Sequence, residues 1–214
     1  MKILYKLTSR SRPQRFLETL NNIIRNVKHK DYKILCTLDD NDVEYPAIYN
    51  SRVEVILGRS KNKIHAINRD MNTNEDWDVL VNMSDDMRFI KEGFDLDILD
   101  AFGADLDQFI HWNDGNQKAN VCTMSIMGRT YYNRFNYIYH PDYTSLFADE
   151  ESTEVAKLLG KYKYMGDGNI LFHHLHPAWG LTAFDEQYLA TDNAAMWQKD
   201  GSVFTRRKQL NFQL

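Results

Sequence analysis

No glycine-rich phosphate loop of either common type occurs in the 214 residues. That counts against a P-loop nucleotidase and against a dinucleotide-binding dehydrogenase, which need glycine where backbone approaches phosphate. Cysteine is scarce: Cys36 and Cys122 stand alone, each in an apolar, strand-like run. Two such thiols suit a reducing compartment rather than a disulfide scaffold, and neither has zinc-ligand spacing. No apolar run approaches the roughly 20 residues that a membrane-spanning helix needs. Met1 to Leu7 is too short for a secretory leader and runs into Arg10, Arg12 and Arg15. A soluble, cytoplasmic protein is expected. Positive charge is not in surplus either: 26 Lys and Arg against 30 Asp and Glu leave a net charge of -4. Nothing electrostatic therefore favours a nucleic-acid or membrane-surface partner.

Hydrophobic residues, by contrast, make up 43% of the chain and aromatic ones 13%, enough for a sizeable core. The length suits one α/β domain. The most informative stretch is Asp78-Val79-Leu80-Val81-Asn82-Met83-Ser84-Asp85-Asp86-Met87. Val79 to Val81 reads as a buried strand, and it runs into two adjacent carboxylates. In an open α/β sheet the carboxyl ends of strands form the ligand edge. Adjacent carboxylates repel, and hard divalent cations that also bind phosphates often relieve the repulsion. A solvated turn is the plainer alternative, since Ser-Asp-Asp is ordinary turn chemistry.

The first half repeats this arrangement. A strand begins at Ile3-Leu4-Tyr5, and the polar loop Thr8 to Pro13 carries Arg10 and Arg12, whose forked guanidinium groups suit phosphate. Pro13 opens a helix whose apolar face is Phe16, Leu20, Ile23, Ile24 and Val27. Tyr32 to Leu38 is a strand ending in Asp39-Asp40-Asn41-Asp42, where an acidic side chain can accept from a nucleobase or ribose or simply cap a turn. Val53 to Leu57 is a third strand. Ile64, Ile67 and Met71 mark a helix face, with Lys63 near that helix's start, where anions are favoured. The order β-α-β-β-α-β implies a mainly parallel sheet flanked by helices.

These residues together resemble the GT-A fold glycosyltransferases. The resemblance is to the inverting family 2, which includes cellulose- and chitin-type synthases and many small bacterial transferases. It runs from Lys2 to about His176. It rests on the Thr8 to Pro13 loop, Leu38-Asp39-Asp40-Asn41-Asp42, the Asn- and Ala-containing basic segment Lys61 to Arg69, and Ser84-Asp85-Asp86 in the place of the DxD motif. Two positions depart from the family: Ser84 replaces the first Asp, and the second loop lacks Asp-Gly-Ser.

The resemblance implies a three-layer α/β/α fold with a mainly parallel mixed sheet. It divides residues 1–214 into a nucleotide-binding half (1–88), an acceptor and catalytic half (89–180) and a helical tail (181–214). It implies a UDP- or GDP-linked sugar donor, a saccharide or other hydroxyl acceptor, and a divalent metal, Mn2+ or Mg2+. Asp39 or Asp40 would contact the nucleobase with Thr8 beside it. Lys63 and Asn68 would lie along the nucleotide, Asp85 would approach ribose or metal, and Asp86 would hold the metal. A catalytically silent binding module and a sugar-phosphate nucleotidyltransferase are the alternatives. The latter is disfavoured because Thr8 to Pro13 contains no glycine.

In the second half, Asp95 to Phe102 reads as a helix, and Gln108 to Trp112 and Val121 to Gly128 as strands. Arg129-Thr130-Tyr131-Tyr132 resembles an acceptor-side segment of the family. Asp149, Glu150 and Glu151 precede a helix face of Val155, Leu158, Leu159 and Tyr162. Negative charge is favoured at a helix start on structural grounds alone. The family resemblance adds that one carboxylate there acts as general base, first Asp149 and then Glu150. In His173-His174-Leu175-His176, His174 and His176 would share one strand face and could reach a metal or diphosphate. Glu186 to Lys199 reads as a solvated terminal helix, followed by the basic run Arg206-Arg207-Lys208. A lid or a homodimer contact is the other use for this tail.

Overall fold

A computed structural model describes residues 1–71 and 76–214. The strands are β1 (Ile3–Thr8), β2 (Tyr32–Asp39), β3 (Val53–Gly58), β4 (Val79–Ser84), β5 (Met87–Phe89), β6 (Phe109–His111), β7 (Ile126–Gly128), β8 (Tyr162–Tyr164) and β9 (Phe172–His174). The helices are α1 (Pro13–Asn26), α2 (Lys63–Asn68), α3 (Phe94–Phe102), α4 (Arg129–Tyr132), α5 (Ala148–Leu158), α6 (Glu186–Thr191) and α7 (Ala194–Gln209). Seven strands form one sheet in the order β3-β2-β1-β4-β7-β6-β8, while β5 and β9 pair separately. The pairings β3-β2, β2-β1, β1-β4 and β6-β8 are parallel, and β4-β7 and β7-β6 are antiparallel. The mainly parallel mixed sheet expected from the sequence is therefore present.

The central strands β1 and β4 are buried on both faces, as parallel strands covered by helices must be. Alternation along β1 splits the core in two. Ile3, Tyr5 and Leu7 pack with Phe16 and Leu20 of α1 and Phe94 and Ile98 of α3. Leu4 packs on the other face with Ile64 and Ile67 of α2, Tyr131 of α4 and Val155 of α5. Each fully buried aliphatic side chain contributes about 1.5–3 kcal/mol. Gly128 closes β7 where a β-carbon would lie 2.2 Å from the Leu106 carbonyl oxygen, so no larger residue fits.

Register places the ligand edge. Thr8 lies level with Thr37 on β2 and with Ser84 on β4, so the loops after β1, β2 and β4 leave from one shelf. Several element bounds differ from the sequence expectation. The helix expected through Met71 ends at Asn68, and the strand expected over Val121 to Gly128 holds only Ile126–Gly128. Tyr162 lies on β8 instead of extending α5. The expected Glu186 to Lys199 helix breaks in two at Asn193, whose side chain caps α7 by accepting from the Met196 amide. The second helix runs on to Gln209 and absorbs the basic run. No helix among the described residues is long and apolar enough to cross a membrane.

Candidate active site

At the end of β4, Asp85 and Asp86 are 3% and 5% exposed. They turn to different partners. Asp85 accepts from the Ser9 hydroxyl at 2.6 Å and from Arg12 at 3.2 Å. Burial, followed by the neighbouring Asp86 charge, pushes its carboxyl up to about 6. Asp86 accepts from the Ser84 hydroxyl and from the Tyr188 hydroxyl at 2.6 Å, and His174 Nε2 lies 3.4 Å away. Burial opposes the Asp86 charge, but His174 and the two hydroxyls outweigh it and hold the carboxyl well below the usual range. Ser84, which departs from the family pattern, thus serves as a donor to the carboxylate two residues on.

His174 stands between two carboxylates. Its Nε2 faces Asp86, and its Nδ1 lies 3.9 Å from Asp114. Burial disfavours the imidazolium, but Asp86 and then Asp114 reverse the effect and raise its pKa. His176 sits beside it, with ring centroids 5.3 Å apart. Its Nδ1 accepts from the Ala178 amide. Burial and then His174 lower the His176 pKa. The Lys63 ammonium acts on both histidines from the start of α2.

Arg12 brings a guanidinium to the site. Its Nε and NH2 donate to Asp185 at 2.8 and 2.6 Å, and its guanidinium lies 3.9 Å over the Tyr188 ring. The fork geometry is the one that arginine uses for carboxylate or phosphate. Arg10 is paired with Asp39.

Several expected residues are occupied by scaffold contacts. Asp39 also accepts from the Ser60 amide at 3.0 Å, tying the β2 end to the loop after β3, whereas Asp40 is exposed and 3.4 Å from Arg59. Asn68 is fully engaged with backbone: it accepts from the amides of Ile138 and Tyr139 and donates to the Tyr139 carbonyl. Its carboxamide binds α2 to that segment. In α4, Tyr131 and Tyr132 are buried in the core and Arg129 stacks on Trp77, so this segment shapes the interior. Thr8 ends β1 beside Ser84.

Asp149 lies in the first turn of α5, its carboxylate accepting from the Glu150 amide at 3.0 Å. It acts electrostatically on the Tyr139 hydroxyl and on the Cys122 thiol. Tyr139 bonds Ser125 at 3.1 Å and reaches Asn82 of β4, and Cys122 also feels Asp114. Burial, then Asp149 and Glu154, raise the Glu150 pKa. The third carboxylate, Glu151, turns inward and binds Arg207 of α7 through a buried fork.

Four residues of this constellation were not singled out by sequence reasoning: Ser9, Asp114, Asp185 and Tyr188. Asp114 follows the short β6 strand, so the strand-end rule that flagged Asp39 and Asp85 would also have found it. Asp185 precedes a helix as an N-cap, accepting from the Tyr188 amide at 3.0 Å. Only the fold reveals its second partner. The tail is not a solvated terminal helix, because Tyr188 is buried on Asp86.

Among the described residues, no group of three or more His, Cys, Asp or Glu side chains is placed to hold a metal unaided. Asp86 and His174 supply two convergent donors. The carboxylate fits the way magnesium is often bound, through one or two carboxylates with substrate phosphates completing the shell, and the imidazole is a further donor beside it.

No protein-family model matches the sequence, and no curated protein matches it. Solved structures do match in three dimensions. The chain is similar to a mannosyltransferase, PcManGT from Pyrobaculum calidifontis, in complex with GDP-Man and Mn2+ (TM-score 0.65, 9% identity, 83% of this chain and 59% of that chain). It is similar to residues 1–349 of S. aureus TarS in complex with UDP-GlcNAc (TM-score 0.63, 9% identity, 92% and 64%). It is also similar to a Drosophila β-1,4-galactosyltransferase 7 mutant in complex with manganese, UDP-Gal and xylobiose (TM-score 0.56, 12% identity, 90% and 80%). The chain spans about three fifths of the length of the mannosyltransferase it matches. The common element is the fold: this chain has the GT-A fold of glycosyltransferases.

Proposed function

We propose that this chain is a glycosyltransferase that moves a sugar from a nucleoside diphosphate donor, UDP- or GDP-linked, to a hydroxyl acceptor with inversion. The observation that carries it is the convergence of Asp86, His174 and Arg12 at the carboxyl end of β4 in a GT-A sheet. A carboxylate, an imidazole and a guanidinium at one strand end would suit a divalent ion and an anionic diphosphate. The neighbours' complexes with GDP-Man and UDP-Gal support the donor class.

Asp86 and His174 would hold Mn2+ or Mg2+, with His176 next to them. Such an ion, when bound, stabilises negative charge on the leaving diphosphate. Arg12 binds the same anionic group through its fork, and Lys63 adds positive potential near the histidines. Arg10 and Asp39 hold the nucleoside side of the shelf, with Thr8 and Asp40 at its rim. Asp149 takes the proton of the acceptor hydroxyl as that oxygen attacks the anomeric carbon, and Glu150 is the alternative base. Residues 1–88 bind the donor and residues 89–180 the acceptor. Buried free Cys36 and Cys122 support a reducing, cytoplasmic setting.

The test is thermal unfolding with UDP, GDP, CDP and ADP, each with and without MnCl2, followed by donor hydrolysis with the nucleotide that binds. A ligand present at about 100 times its Kd adds about 2.7 kcal/mol. A metal-dependent shift for one nucleotide, together with turnover of its sugar derivative, is the expected outcome. Metal-dependent binding without turnover under any acceptor would assign a silent binding module. No shift with any nucleotide would overturn the donor reading.

A further inference from the structure

Residues 181–192 cross the site as a strap between the turn at Pro177–Trp179 and the Asn193-capped start of α7. Polar contacts tie them down, beside the packing of the Tyr188 ring against Arg12 and His176. Asp185 takes the Arg12 fork, Thr182 accepts from Arg15 at 2.7 Å, and Tyr188 donates to Asp86. Tyr188 is the one buried residue of the strap, while Leu181, Phe184 and Leu189 are exposed. A segment with little buried apolar surface opens at low cost compared with the core.

The strap's chemistry copies that of a donor. Asp185 places a carboxylate on the guanidinium fork that suits a phosphate. Tyr188 places a hydroxyl proton on the Asp86 oxygen that also faces His174. A diphosphate would compete with the Asp185 carboxylate for Nε and NH2 of that fork, which Asp185 occupies. That Asp86 oxygen already meets both the phenol hydrogen and His174 Nε2, so a cation on it would take the place of one of them.

We infer that the strap is a built-in competitor of the donor. Asp185 stands in for the diphosphate on Arg12, Tyr188 stands in for the metal on Asp86, and donor binds only to the form in which residues 181–192 have moved away. This rests on the transferase reading and adds a self-occluded state to it. Gly180, at φ 70°, provides a left-handed turn at the strap's leading end. Apparent donor affinity is then the intrinsic affinity reduced by the fraction of open chain.

The experiment is calorimetric titration of UDP and GDP, with and without MnCl2, into the wild type, Asp185→Asn and Tyr188→Phe. Asparagine keeps the α6 cap but weakens the hold on Arg12. Phenylalanine keeps the ring over Arg12 but frees Asp86. Both variants are expected to bind the preferred nucleotide more tightly, by about tenfold if about nine tenths of the wild type is closed. Tyr188→Phe should show the gain with and without manganese, because it shifts the same open–closed equilibrium. Wild-type binding with equal or weaker binding by both variants overturns the strap while leaving the donor site standing. Absence of binding in all three chains overturns both. Hydrogen exchange of the wild type gives a reading independent of the variants: amides 182–189 should lose protection at saturating nucleotide and MnCl2. Unchanged or increased protection would reject displacement.

Discussion

The Tyr188 hydroxyl donates to the Asp86 carboxylate across 2.6 Å although 102 residues separate them in sequence. The tail of the chain therefore reaches back to the residue that the first half of the chain presents at its ligand edge. Asp86 is buried, charged and shared between a phenol, a serine hydroxyl and an imidazole, and its removal is predicted to be specific in effect. Asp86→Ala should eliminate any manganese-dependent stabilisation by nucleotide, a loss of about 2.7 kcal/mol at 100 times the wild-type Kd. A turn role for Asp86 would leave that increment intact, and thermal unfolding with and without MnCl2 distinguishes the two.

Asp149→Asn should separate binding from chemistry. The amide keeps the shape of the α5 first turn but cannot take a proton. Turnover is expected to fall by about 10²–10⁴-fold while the nucleotide Kd, measured by calorimetry, stays within about twofold of the wild type. A full loss confined to Glu150→Gln instead would move the base by one residue.

Asp200 of α7 is fully buried and accepts from the amides of Thr144, Ser145 and Leu146. Asp200→Ala strands these donors beneath the loop that leads into Asp149. Urea unfolding should show a loss of about 2–4 kcal/mol, and turnover should fall even where the chain remains folded. A loss under about 0.5 kcal/mol would mean that water or rearrangement satisfies the amides.

Lys6 is buried on the α2 face of β1, donating to the Thr37 hydroxyl and to the Arg69 carbonyl. Burial lowers its pKa to about 7 from an ordinary 10.5, against the opposing pull of Asp70. Between those values the unfolded chain holds the proton that the folded chain releases, so Lys6 makes stability rise with pH, by at most about 1.4 kcal/mol per unit. Burial also pushes the Cys36 thiol up to about 12, which works in the opposite direction as the unfolded thiol ionises. Urea unfolding of the wild type and Lys6→Met at pH 7, 7.5, 8 and 8.5 isolates the first effect. The difference between the two should shift toward the wild type as pH rises, and a constant difference would mean that Lys6 is charged in the folded state.

The first half was legible because hydrophobic runs and strand-end carboxylates are local signals. Val79 to Val81 followed by Asp85-Asp86 places the shelf without any long-range knowledge. His174 was legible for the same reason, as part of a dense histidine cluster beside a strand. Asn68 in sequence gives no hint that the backbone at 138–139 will engage its carboxamide. The tail was illegible for a different reason. Asp185 and Tyr188 look like a cap and a helix residue, and their second roles depend on Arg12 and Asp86 meeting them across 173 and 102 positions.

The level ends of β1, β2 and β4 have a consequence for how this sequence can change. Side chains along β4 alternate between two cores with different inventories. Inserting one residue before Ser84 would bring Asp85 to the place of Asp86, and deleting one would bring Asp86 to the place of Asp85, with the neighbouring strand side chains turned to the opposite face. Substitutions within either core alter stability by degrees. A change of length in β4 instead rewrites which carboxylate meets the guanidinium and which meets the imidazole, so the strand's residue count is itself inherited as part of the chemistry.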